Sequence, residues 1–226
     1  MNHDREGVLL VNKAAGSTSF SLVNLLRKLT RIRTIGHAGT LDPFATGVMV
    51  MLIGRKFTKR SNEFMHFDKE YQATLHLGIQ TDTYDIDGQV MCRSDIVPTR
   101  LQIDTAIQAF QGIFLQTPPM FSAKKVQGKK LYDLARQGIT VERKAVPVTA
   151  KVSILDYTYP HLTIHVACSK GTYIRSIAHD LGLHLECGAH LATLVRLKVG
   201  PYALDECISE ETLRSNVLNE LNVRQQ

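Results

Sequence analysis

The chain has 226 residues, 27 Lys plus Arg against 21 Asp plus Glu, a formal charge of +6 and an apolar fraction of 44%. That length and apolar content fit one large or two small globular domains with a substantial core, and exclude a disordered or collagen-like chain. There is no run of roughly 18 apolar residues, and the polar start with Asp4 and Glu6 fits neither a membrane span nor a signal peptide, so a cytoplasmic protein is expected.

Residues 7–13 (GVLLVNK) read as a short buried strand ended by a turn at Gly16. Ser17, Thr18 or Ser19 then caps an amphipathic helix in which Phe20, Val23, Leu26 and Leu29 recur at helical spacing, with Arg27, Lys28, Arg31 and Arg33 at or beyond its end. Residues 34–47 (TIGHAGTLDPFATG) show no period and read as a loop with a specific backbone path. A buried strand is predicted at 48–53 and a basic, helical stretch from Arg55, Lys56, Lys59 and Arg60. Alternation of Tyr71, Ala73, Leu75 and Leu77 with polar residues predicts a half-buried strand over 69–77, leading into an acidic loop from Thr81 to Gly88. Pro98 and Thr99 open a helix to about Phe110, and Pro118-Pro119 breaks the chain before Lys124, Lys125, Lys129 and Lys130. A short helix from Leu131 to Gln137, strands at 146–158 and 161–168, a helix at 171–184, a strand at 190–198 and a last helix after Ser209 complete the chain. Strands separated by few helices predict an α+β fold with a mixed, largely antiparallel sheet, without internal repeat or low-complexity linker.

The charge is distributed in blocks. Residues 1–60 carry 10 basic and 3 acidic side chains, 61–120 carry 3 and 8, 121–204 carry 12 and 5, and 205–226 carry 2 and 5. Alternating blocks point to a folded protein with a positive face toward a polyanion. Cys92, Cys168, Cys187 and Cys207 have no C-x-x-C spacing and are expected to be free thiols.

Asp42 stands out as the only acidic residue between Glu6 and Glu63, in a glycine-rich loop and before a proline. It can serve as a nucleophile or base, or cap a turn, the usual job of Asp before Pro. His179, Asp180, His184, Cys187 and His190 are metal-compatible types, but His179 and Asp180 point about 100° apart on a helix, and nothing upstream completes a ligand set. Lys170-Gly171-Thr172-Tyr173-Ile174-Arg175 joins a strand to a helix, where phosphates bind, with Arg175 on the first turn able to pair with a carboxylate. It lacks the P-loop pattern.

Gly36-His37-Ala38-Gly39-Thr40-Leu41-Asp42-Pro43 with Ala45-Thr46-Gly47 resembles the catalytic motif of the TruB family, tRNA pseudouridine synthases acting on the T-loop uridine at tRNA position 55. Lys69-Glu70-Tyr71, Thr81-Asp82-Thr83 with Asp85 and Gly88, Pro118 to Ala123 with Gln127 to Tyr132, Cys168 to Arg175, and Gly188-Ala189-His190 resemble further family motifs, in the family's order. Two departures are visible. Where the family usually reads Asp-Lys-Pro this chain has Asn12-Lys13-Ala14, and it stops about 25 residues after Pro201, short of the PUA-type RNA-binding domain many bacterial members carry.

The resemblance implies a pseudouridine synthase fold with a catalytic domain over 1–204, a thumb-like insertion at about 118–146 and a short helical extension over 205–226. It implies an isomerase that breaks the N1–C1′ bond, turns the uracil and joins C5 to C1′, with room for an added tRNA-folding role. Asp42 is then the nucleophile, and Arg175 pairs with it. His37 takes the place of the extruded nucleotide, and Tyr71 stacks on the flipped base and can assist proton removal. Tyr173 and Leu194 close the pocket. By their strands alone Tyr71 and Leu194 read as core; the ordered motifs reverse that preference in favour of the pocket. Arg27, Lys28, Arg31, Arg33, Lys124, Lys129 and Lys130 are implied to meet T-arm phosphates. No cofactor or metal is implied, and the expected state is a monomer with tRNA as partner and no obligate protein partner or membrane.

Overall fold

The computed structural model describes residues 6–122, 124–126, 128–215 and 224, and the chain divides into two compact units, 1–71 with 194–226, and 72–193. The motif residues Ala123 and Gln127 lie outside the described residues, as do the side chains of Lys125 and Lys130.

In the first unit β1 (Gly7–Lys13) leads to α1 (Ser19–Thr30), whose N-cap Thr18 accepts a hydrogen bond from Ser21 N and whose C-cap Arg31 is left-handed at φ 63°. The predicted loop contains a short strand, β2 (Ile35–His37), antiparallel to β3 (Thr46–Ile53) in the register Ile35↔Ile53 and His37↔Met51. Sequence periodicity misses β2 because one buried side chain, Ile35, gives no alternation; its pairing is set by β3. Two short helices, α2 (Arg55–Thr58) and α3 (Ser61–Met65), make up the basic helical stretch expected, and β4 (Lys69–Leu77) follows as predicted.

The chain then builds the second unit. A hairpin of β5 (Ile79–Thr81) and β6 (Val90–Arg93) brackets the acidic loop. α4 (Arg100–Ala106) opens with a capping box between Thr99 and Gln102 and tightens into a 3₁₀ turn at Ile107–Phe110. β7 (Gly112–Gln116), β8 (Lys125–Val126), β9 (Lys129–Lys130) and α5 (Leu131–Ala135) precede β10 (Val146–Thr158), β11 (His161–Cys168), α6 (Ile174–His184) and β12 (Ala189–Val199). α6 starts three residues later than predicted because Lys170–Tyr173 form the turn that feeds it, with Gly171 at φ 81°. Back in the first unit, β13 (Tyr202–Ala203), β14 (Ile208–Ser209) and α7 (Glu210–Arg214) close the described chain.

The α+β expectation holds. A ten-stranded sheet runs in the order β14-β1-β3-β12-β4-β11-β10-β7, with β13 on β12 and β2 on β3. β1–β3, β2–β3, β10–β11 and β7–β10 are antiparallel, whereas β12–β3 and β1–β14 are parallel. β3 is buried along nearly its whole length, which is why VMVMLI does not alternate. Val48, Val50 and Leu52 join Val8, Phe57 and Phe64 in one cluster, and Met49 meets Ser19 of α1. In the second unit β10 and β11 bury Val148, Ala150, Val152, Leu162, Ile164 and Val166 on alternate positions. No helix among the described residues is long and apolar enough to cross a membrane.

One glycine is fixed by this topology. Gly47 pairs with Arg196 across the parallel β3–β12 contact at φ 107°, and a Cβ there would lie 2.2 Å from the Arg196 carbonyl oxygen. We predict that Gly47→Ala costs about 3 kcal/mol, read as a lower urea midpoint. An unchanged midpoint would show that the strands part without cost.

Candidate active site

In the first unit the segment 38–45 returns the chain from β2 to β3. The edge of β3 is shared: β12 pairs at Thr46 and Gly47, β2 at Met51 to Ile53, and the segment spans the gap. Ala38 N donates to the Val50 carbonyl at 2.9 Å, and Arg196 Nε to the Val48 carbonyl at 2.7 Å.

Each backbone carbonyl from Gly39 to Pro43 has a partner. Arg196, 1% exposed on β12, donates from Nη2 to the Gly39 carbonyl (3.2 Å) and from Nη1 to that of Thr40 (3.4 Å). Ser19 Oγ, at the start of α1, donates to the Leu41 carbonyl at 3.1 Å and accepts from Leu41 N at 3.0 Å. The Asp42 carbonyl accepts from Ala45 N at 3.1 Å, closing a turn with Pro43 second, so the turn reading of Asp-Pro holds for the backbone while the carboxylate is a separate matter. The Pro43 carbonyl accepts from Gly16 N (2.9 Å) and from Lys13 Nζ (3.0 Å).

Lys13 is 0% exposed and also donates to the carbonyls of Ala14 (2.9 Å) and Ser17 (2.7 Å). Burial lowers its pKa to about 8, against the favourable fields of Glu210 and Asp42 and with the opposing field of Arg196. His37 is half-buried; burial first and then Arg196 lower its pKa, which favours the neutral imidazole at pH 7. Leu194 is buried two residues before Arg196 on β12, and Tyr71 is buried on β4. Arg27 donates to the Arg33 carbonyl (3.0 Å) and lies over the Phe20 ring, while Lys28, Arg31 and Arg33 are exposed.

The second unit holds Tyr173 and Arg175. Tyr173 precedes α6, and its backbone N–H and carbonyl are both bound by the Gln116 side chain at 2.8 and 3.0 Å. Arg175, 4% exposed, donates to the carbonyls of Thr83 (3.1 Å) and Phe121 (2.8 Å) and lies 3.5 Å from Asp85 Oδ2. Asp85 in turn accepts from Thr83 Oγ1 (2.6 Å) and Asp87 N (3.1 Å). Arg175 thereby joins the acidic loop to the segment after Pro118-Pro119. Lys124 is half-exposed and Lys129 exposed near the β8–β9 turn; Lys130 lies in β9.

The His/Asp/Cys set disperses. His179 stacks on Tyr84, His184 meets the Phe110 ring, and His190 bonds the Ile79 carbonyl and stacks on His76. Among the described residues no group of three or more His, Cys, Asp or Glu is placed to hold a metal. Reading the sequence missed Lys13, Arg196, Glu210 and Asp85 as site-shaping residues. The available signal was a basic residue at the end of one apolar strand run and inside another, GVLLVNK and LVRLKV.

The family model described as TruB family pseudouridylate synthase (N terminal domain) matches residues 27–174, and that for the tRNA pseudouridylate synthase B C-terminal domain matches 175–225. The chain is 58% identical over 204 residues to a tRNA pseudouridine synthase B of Protochlamydia amoebophila, covering 90% of this chain and 78% of that one. It is 58% identical over 208 residues to that of Chlamydia trachomatis serovar L2, covering 92% and 86%. Among solved structures it is similar to a chain of a Cbf5–Nop10–Gar1 complex, with TM-score 0.72 and 28% identity over 92% of this chain and 54% of that one. A chain of an H/ACA RNP bound to a substrate RNA containing 2′-deoxyuridine gives TM-score 0.68 and 26% identity over 91% and 51%, so this chain spans about half the length of those structures.

Lys13 gives a pH test. Its folded pKa, about 8, lies below the ordinary lysine value of 10.5, so between those values the unfolded chain binds more protons and stability from this group rises with pH. We predict that wild type gains stability relative to Lys13→Met as pH rises from about 8 to 10.5, measured by urea unfolding at each pH. A flat difference would mean the buried ammonium is not strained.

Proposed function

Because the chain belongs to the TruB family of pseudouridylate synthases, we propose that it is an isomerase converting the T-loop uridine of tRNA to pseudouridine, with Asp42 as nucleophile. The N1–C1′ bond breaks, the uracil turns while bound, and C5 joins C1′; the exchange is redox-neutral. Attack at C1′, attack at C6 and a glycal route all require a carboxylate held close to sugar and base. The observation that supports Asp42 most is the fixing of its backbone from both sides, with Arg196 and Ser19 before it and Lys13 after it.

The uridine lies inside a folded loop and must leave the stack, at a cost of a few kcal/mol. His37, the last residue of β2, fills the vacated place with a neutral ring. Tyr71 stacks on the flipped base, an interaction worth ~1–3 kcal/mol, and Tyr173 and Leu194 complete its pocket. Arg175 serves the reacting centre from the start of α6. Residues 1–204 supply the catalytic part, and Arg27, Arg31, Lys124, Lys129 and Lys130 meet T-arm phosphates. The protein works as a cytoplasmic monomer on tRNA, with no obligate protein partner.

Asp42→Asn is expected to abolish pseudouridine formation, mapped by carbodiimide and primer extension on unmodified tRNA, while tRNA affinity stays within about tenfold. Near-wild-type turnover would refute the nucleophile. Arg31→Ala and Lys129→Ala are each expected to weaken binding and to remove about 0.7 from the log–log salt slope. An unchanged slope would take that residue off the RNA path.

A further inference from the structure

We propose that Glu210, at the start of α7, is a positioning residue for the Asp42 loop, acting through the 13–17 turn; this rests on the reading of Asp42 as nucleophile. Glu210 is 2% exposed, and its carboxylate accepts from Ala14 N at Oε2 (3.0 Å) and from Ser17 Oγ at Oε1 (2.6 Å), with Arg214 bonded to Oε1 from one turn later. Burial alone would raise its pKa, but the hydrogen bonds from Ser17, Ala14 and Arg214 turn the shift downward, so it is anionic at pH 7.

The far side of the same turn faces the catalytic loop. Gly16 N and Lys13 Nζ both donate to the Pro43 carbonyl, one residue after Asp42, and Lys13 also donates to the Ser17 carbonyl. The turn is thus held between a buried carboxylate and the loop that carries Asp42. The charged groups facing Lys13 are Glu210, Asp42 and Arg196. Glu210 is the larger of the two favourable fields, so it keeps Lys13 protonated as a three-way donor.

The departure at position 14 fits this arrangement. A proline there, as in the family's usual Asp-Lys-Pro, has no N–H. In this chain Ala14 donates that hydrogen to Glu210 instead, so the turn is fixed by a charge-assisted hydrogen bond rather than by a ring. α7 reaches its position because β14 pairs with β1 at Val11 and Asn12, immediately before the turn.

The test uses the full chain with Glu210→Gln, Ser17→Ala and Asp42→Asn. Single-turnover rates on unmodified tRNA are followed from about pH 6 to 9.5 alongside tRNA affinity and urea unfolding. Glu210→Gln should lower the rate about tenfold near neutral pH with affinity within about threefold. It should also move the alkaline loss of activity about one pH unit lower, because Lys13 loses its main anionic neighbour. Ser17→Ala should lower the rate by about threefold and leave the alkaline limb in place, since the carboxylate remains. A Glu210→Gln chain that unfolds more easily but keeps the wild-type rate and pH profile would overturn the proposal and leave Glu210 a stabilising residue only. If Glu210→Gln does not fold, Ser17→Ala decides, a wild-type rate overturning the proposal and a reduced one supporting it. Active Asp42→Asn would instead bring down the nucleophile reading, whereas inactive Asp42→Asn with unaltered Glu210→Gln would remove this inference alone.

Discussion

Two buried cations need acceptors, and the first unit is organised around giving them. Lys13 and Arg196 sit on β1 and β12 with essentially no exposure, where an unsatisfied charge would be prohibitively costly. Each takes several backbone carbonyls: Lys13 those of Ala14, Ser17 and Pro43, Arg196 those of Gly39, Thr40 and Val48. Four of the six belong to the 39–48 region. The requirement to satisfy buried charge and the requirement to hold a nucleophile in one place are therefore met by the same hydrogen bonds. A connector that would otherwise be a mobile glycine-rich loop becomes a rigid platform.

Backbone carbonyls do what a carboxylate in the same place would not. They stabilise the cations without adding charge beside Asp42, leaving its side chain as the acidic group in a segment rich in Gly, Thr and Ala. Gly47 belongs to the same device. Its lack of a Cβ lets the β12 backbone approach β3 closely enough for Arg196 to reach under the loop.

The second unit repeats the solution with a different cation. Arg175 opens α6 and gathers the carbonyls of Thr83 and Phe121 with the Asp85 carboxylate, while Gln116 holds both backbone groups of Tyr173 and Ser176 Oγ donates to the Thr117 carbonyl. Two sequence-distant segments, 83–85 and 116–121, are thus fixed against the start of one helix. A buried, fully bonded guanidinium is well suited to this because its planar fork donates in several directions at once.

The sequence by itself determined the elements with a clear period and the order of the motifs. β1, β4, β10 and β11 begin and end where alternation or a continuous apolar run predicts, because those patterns report which face is buried. The GHAGTLDP segment marked Asp42, since a lone acid in a long basic stretch is visible without coordinates. Only the tertiary structure decided the rest. β2 and β7 exist through pairing with other strands, and Lys13, Arg196 and Glu210 matter because of carbonyls and N–H groups 1 to 196 residues away in sequence. A side chain's type can be read locally, but whether it is buried and which backbone atoms satisfy it depend on chain segments brought together by folding.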